Sequence, residues 1–111
     1  MAEKDYACGI GPAFEVAGGK WKAVLLWELM GGPVRFGDLK RRIAGISEKM
    51  LVQQLRELER DGLVTRHVRN QVPPHVEYAL SEWGVSLNAA LSPIAAWGEA
   101  YAKATGRYPQ A

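Results

Sequence analysis

Apolar residues change their spacing along this chain, and each change marks an element. From Cys8 to Gly18, Ile10, Ala13, Phe14 and Ala17 fall three or four apart, which predicts a short helix with one apolar face. Gly18-Gly19 interrupts it. Lys20 to Met30 predicts a second helix with Trp21, Val24, Leu25 and Leu29 as core, closed by Gly31-Gly32-Pro33, where a proline cannot extend the helix. Val34-Arg35-Phe36 reads as a short extended piece, Gly37 to Ile43 as a short helix basic on one side, and Ala44-Gly45-Ile46 as a tight turn.

The stretch Ile46 to Leu63 carries the strongest pattern. Leu51, Leu55 and Leu58 recur at i, i+4 and i+7, so they share one face. Ser47 suits the N-cap, because its hydroxyl accepts from a free first-turn N–H. Gly62 suits the left-handed stop. The opposite face holds Lys49, Gln53, Arg56 and Arg60, with Met50, Gln54 and Glu57 at its edges. Beyond Gly62 the period drops to two. Leu63 to Arg69 and Val76 to Leu80 read as strands of a hairpin, with Pro73-Pro74 confined to its tip. Ser81-Glu82 opens a last helix to about Ala104, which Pro93 is expected to kink or divide near Ser92. Gly106 to Ala111 reads as a frayed tail.

Taken alone, the Ile46–Leu63 helix would be an ordinary surface helix with a solvated face. Its surroundings change that reading. Two helices joined by a short glycine-containing turn make a helix-turn-helix, and a hairpin directly after them makes a wing. Gln can pair bidentately with adenine, and Lys or Arg with guanine. The expected fold class is mainly α with a small β-hairpin, a winged helix-turn-helix with extra N- and C-terminal helices forming a dimer interface.

Charge sharpens the picture. The chain has 111 residues and a net charge of only +2. Between Arg35 and Arg69, however, nine Lys/Arg face five Asp/Glu, the footprint expected over a phosphate backbone. The length suits one domain, 1–111, that buries about 65% of its unfolded surface. No run approaches the roughly 18 apolar residues of a membrane span. Glu3, Lys4 and Asp5 precede no apolar segment, so no secretion signal is expected and a cytoplasmic location is. No metal cluster, phosphate-binding glycine loop or nucleophile–base set points to an enzyme, and no cofactor is expected. A winged-helix protein-interaction module without DNA binding is the alternative.

Several motifs in order resemble the HxlR family of winged-helix regulators. They are Gly18-Gly19-Lys20-Trp21, Arg35-Phe36-Gly37-Asp38-Leu39, Gly45-Ile46-Ser47, Gln54 to Leu63, Val72-Pro73-Pro74-His75-Val76-Glu77-Tyr78, and Ser81-Glu82-Trp83-Gly84. The resemblance covers about residues 8 to 98. It implies a homodimer that binds operator DNA and represses or activates nearby genes, with repressor as the working keyword. The family pattern has Pro directly after the N-terminal Cys, where this chain has Gly9. It has Arg after the wing prolines, where this chain has His75, so a contact there becomes weaker or pH-dependent. Trp83 stands where Leu is common.

The recognition-helix candidates are Ser47, Lys49, Met50, Gln53, Gln54 and Arg56. Lys49 and Gln53 lie in the half that usually enters a groove. Ser47 can cap, bind phosphate, or do both. Arg60 can touch phosphate or pair with Glu57. At the wing, Arg69, Asn70, Gln71 and His75 are candidates for phosphate or minor-groove contact, and the prolines stiffen them for docking. Lys20, Lys22, Arg35 and Arg41 are auxiliary phosphate candidates. Cys8, the single cysteine, has two readings: a redox sensor, as in some relatives, or a small packing residue at the dimer interface. The tryptophans Trp21, Trp27, Trp83 and Trp97 are expected in the core and the dimer seam. Two-fold packing of the first and last helices would set recognition helices about 34 Å apart on inverted half-sites.

Overall fold

The computed structural model describes residues 8–108. Its elements are α1 (Ile10–Ala17), α2 (Lys22–Glu28), β1 (Val34–Arg35), α3 (Phe36–Arg42), α4 (Glu48–Arg60), β2 (Val64–Arg69), β3 (His75–Leu80) and α5 (Glu82–Thr105). The three strands form one antiparallel sheet in the order β1-β3-β2. The extended piece at Val34 is therefore a sheet strand, with Val34 opposite Tyr78 and Arg35 opposite Glu77. In the hairpin, Val64 faces Leu80 and Arg69 faces His75.

One core lies between α2, α3, α4 and the root of the sheet. Leu25, Leu26, Leu29, Leu39, Leu51, Leu55 and Leu58 are fully buried in it. Burying each leucine stabilises the fold by about 1.5–3 kcal/mol, so the three on α4 fix which of its faces points outward. Val24, expected in this core, is exposed, and Leu26 takes its place. The spacing Leu25, Leu26, Leu29 puts the inward stripe one position on.

Both ends of α4 are closed as its residues require. Ser47 Oγ accepts from Met50 N at 3.0 Å. At the other end Leu63 N donates to Leu58 O and Gly62 N to Glu59 O, the paired bonds of a Schellman stop. Gly62 sits at φ +79°, in the left-handed region that favours glycine. Ser81 N donates to Leu63 O at 3.0 Å, and Ser81 Oγ donates to Gly62 O at 2.6 Å. The end of the recognition helix, the root of the wing and the start of α5 are thus bonded together.

α5 removes one of the two outcomes expected at Pro93, the division of the helix. Pro93 lies inside a continuous helix of 24 residues and does not divide it. Pro93 and Ala89 are both exposed, so the carbonyl that loses its donor meets solvent instead of apolar packing. Leu87 and Leu91 pack on the core, and the buried Asn88 donates to Leu26 O at 2.6 Å. At the C-terminal end Gly106 caps α5. Arg107 lies over the Tyr101 ring and the Tyr108 ring, so the tail begins folded back on the helix. Its last residues, 109–111, lie outside the described ones.

Candidate nucleic-acid interface

α3, the turn from Ile43 to Ser47, and α4 form the helix-turn-helix. Gly45 turns the chain at φ +84°. With the leucine seam buried, Lys49, Gln53, Arg56 and Arg60 stand exposed along the outer face of α4. Ser47 is exposed at its N-terminus, engaged as the cap. Met50 and Gln54 lie on the flank. Both are half-buried, Met50 packs on the core, and Gln54 Nε2 lies 3.5 Å from its sulfur. The outward stripe is therefore Lys49, Gln53 and Arg56, while Arg60 pairs with Asp61 at 3.3 Å and not with Glu57.

Glu57 is held from behind. Lys22, expected as an auxiliary phosphate contact, is only 8% exposed, and its ammonium lies 2.8 Å from Glu57. It is buried and paired, and so withdrawn from any phosphate. The bond from Lys22, followed by that from Gln53, holds the Glu57 carboxyl below its ordinary range. Gln53 Nε2 donates to the other carboxylate oxygen at 3.2 Å. A chain of Lys22, Glu57 and Gln53 thus runs from the core to the outer stripe. The remaining auxiliary candidates Lys20, Arg35 and Arg41 are exposed. Lys20 sits over Trp21, and Arg41 pairs with Asp38.

The wing candidates form a network. Glu77 accepts from Arg69 at 3.4 Å and lies 2.7 Å from His75 Nε2. Gln71 is 3.3 Å from His75 Nδ1. The His75 bond, then Arg69, depresses the Glu77 carboxyl. His75 is half-buried in β3, while Asn70 and Gln71 stand exposed in the loop. The sequence signalled each residue but not Glu77, whose cross-strand position joins them.

Elsewhere the surface carries exposed apolar side chains. Ile10 and Phe14 on α1, and Trp83, Ile94 and Trp97 on α5, are exposed. Trp97 stacks on Tyr101 with ring centroids 4.9 Å apart. Of the four tryptophans, Trp21 packs against the core, and Trp27, Trp83 and Trp97 do not enter it. Cys8 is exposed at the entry to α1. No helix among the described residues is long and apolar enough to cross a membrane.

A helix-turn-helix that presents a Lys/Gln/Arg stripe beside a three-stranded wing defines a transcriptional regulator of the winged helix-turn-helix type. The chain belongs to the HxlR-like helix-turn-helix family, whose profile matches residues 16–106. It is 50% identical over 108 residues to the HTH-type transcriptional regulator YkvN of Bacillus subtilis strain 168, covering 95% of this chain and 92% of that one. To YtcD of the same organism it is 52% identical over 98 residues, covering 88% and 78%. The structure of the redox regulator HypR in its reduced form superposes with a TM-score of 0.83 at 40% identity, covering 91% of this chain and all of that one.

Proposed function

We propose that the chain is a single winged helix-turn-helix domain that works in the cytoplasm as a homodimer on inverted-repeat operator DNA and represses the adjoining genes. The carrying observation is the exposed Lys49–Gln53–Arg56 stripe, held outward by a fully buried leucine seam. Lys49 and Gln53 face the bases of the major groove, where ammonium and amide groups discriminate G and A. Asn70 and Gln71 lie over the backbone or minor groove, and Lys20 adds a phosphate contact. The exposed apolar side chains of α1 and α5 support burial against a second copy, since soluble surfaces rarely leave such patches uncovered.

The test is binding of the full chain to genomic fragments and to the inverted repeat selected from them, titrated with salt. Sequence preference with a steep salt slope is expected. Equal affinity for all sequences with a shallow slope would refute the reading. We further propose that Cys8 makes the dimer responsive to oxidants or electrophiles. Its exposure and the likeness to a redox regulator support this. Cys8→Ser should then bind DNA as the parent does but lose the response to a thiol oxidant; an unchanged response removes the proposal.

A further inference from the structure

Between α3, α4 and the wing lies a cleft of about 920 Å³. Arg35, Arg41, Arg56 and Arg66 line it, against the carboxylates of Asp38 and Glu59. Arg41 is paired with Asp38. Among the described residues, the side chains of Arg35, Arg56 and Arg66 have no hydrogen-bond or ion-pair partner. Four arginines against two carboxylates leave the concavity net positive, which favours an entering anion. Phe36, Val76, Tyr78 and the two wing prolines give the cleft a partly apolar wall, which strengthens a charge-assisted bond made there.

The position of Arg66 follows from strand register. Arg66 faces Tyr78 across the β2–β3 ladder, and Tyr78 also faces Val34. Residues directly opposite in a sheet share a face, and Val34 and Tyr78 are buried. Arg66 therefore stands on the helix-facing side of the sheet, one step beyond the edge of the core. On the other wall, Arg56 and Val52 line both this cleft and the shallow hollow along the α4 stripe that contains Lys49 and Gln53. Arg56 marks the rim where one surface becomes the other.

We propose that the cleft seats a phosphodiester segment of the operator backbone, gripped by Arg56 from the helix and Arg66 from the wing, with Arg35 behind them. This rests on the reading above that α4 meets operator DNA. When Lys49 and Gln53 face a groove, the strand bordering that groove passes the Arg56 edge and runs into the cleft. Arg56 is accordingly a phosphate ligand, which leaves Lys49 and Gln53 as the base readers. A compact ion alone would leave most of the volume wet, and an apolar small-molecule site would not be walled by four arginines.

The experiment compares the full chain with Arg66→Gln and Arg66→Lys by fluorescence anisotropy on operator and scrambled duplexes across salt concentrations. For Arg66→Gln we expect affinity to fall roughly tenfold on both duplexes and the log–log salt slope to shrink by about 0.9, with the preference for operator unchanged. Arg66→Lys keeps the slope while losing part of the affinity, because charge is kept and the bidentate fork is lost. An Arg66→Gln variant that matches the parent in affinity and slope, while Lys49→Ala still weakens operator binding, overturns the clamp and leaves the proposed function standing. A parent chain without sequence preference overturns both. Inorganic phosphate compared with chloride at constant ionic strength separates the sources: phosphate that raises the thermal midpoint of the DNA-free parent but not of Arg66→Gln, while Arg66→Gln keeps the parent's DNA affinity and salt slope, assigns the cleft to a small anion and refutes the backbone. Arg35→Gln, at a second wall, repeats the measurement should Arg66→Gln lose its thermal transition.

Discussion

Lys22 shows how one side chain can look like a surface contact and act as an internal strut. Its ammonium reaches Glu57 from α2, and Glu57 in turn holds Gln53. Replacing it by Met should raise the Glu57 carboxyl toward its ordinary 4.5, read by carboxyl-carbon NMR titration, and weaken operator binding through a loosened Gln53. The sign for stability follows from the depression. A carboxylate held low in the folded state contributes stability that is present above pH 4.5 and is lost as pH falls through the lower folded value. Lys22→Met should therefore show a shallower acid dependence in that window than the parent, and an equal dependence would refute the strut. Glu77 titrates in the same direction, so Glu77→Gln should likewise flatten the acid limb and speed amide exchange in the wing. The placement of Lys22 was readable in the spacing, since Lys22, Leu25, Leu26 and Leu29 fall at i, i+3, i+4 and i+7. Charge type alone pointed to the surface, and helical phase was the better guide.

Elements whose order comes from periodicity are held in place by contacts that periodicity does not encode. Gly84 shows this at the joint between the wing and α5. A Cβ there would lie 2.2 Å from the Leu63 carbonyl oxygen and 3.1 Å from Leu80. Alanine normally gains about 1 kcal/mol over glycine within a helix. Here the clash with fixed backbone outweighs that gain, and Gly84→Ala should lose about 1–3 kcal/mol on balance, measured from the urea midpoint. A stabilised variant would show that the joint yields. Ser81→Ala, which removes both the cap to Gly84 N and the bond to Gly62 O, should cost about 1 kcal/mol. The leucine seam, the caps of α4 and the hairpin were legible because each is set by local spacing and local chemistry. The strand at Val34 was legible only as extended chain, because its partner β3 lies some forty residues on. The unbroken course of α5 was not legible, because whether Pro93 divides a helix depends on what surrounds the freed carbonyl.

For the whole molecule the proposed dimer carries the largest expected effect. Phe14 is 59% exposed and Trp97 is 65% exposed, large apolar side chains that a second copy would cover. Phe14→Glu or Trp97→Glu should shift the chain to monomer in sedimentation equilibrium. Loss of the second half-site should then cost about 10²–10⁴-fold in operator affinity. A monomeric parent would refute the arrangement. The root of the wing is tied directly to the helix-turn-helix. β1 ends at Arg35, the N-cap of α3, and its partner β3 is the central strand of the sheet. In the proposed dimer, helix-turn-helix and wing would move as one casting, and a signal arriving through α1 or α5 would act on the gauge between the two castings. Half-sites of the proposed operator would lie one helical turn, about 34 Å, apart. A change of about 3.4 Å, one base-pair step, carries the second head roughly a tenth of a turn out of phase with its groove. Control by such a dimer would be vernier control, in which neither reading surface changes and only their alignment is lost.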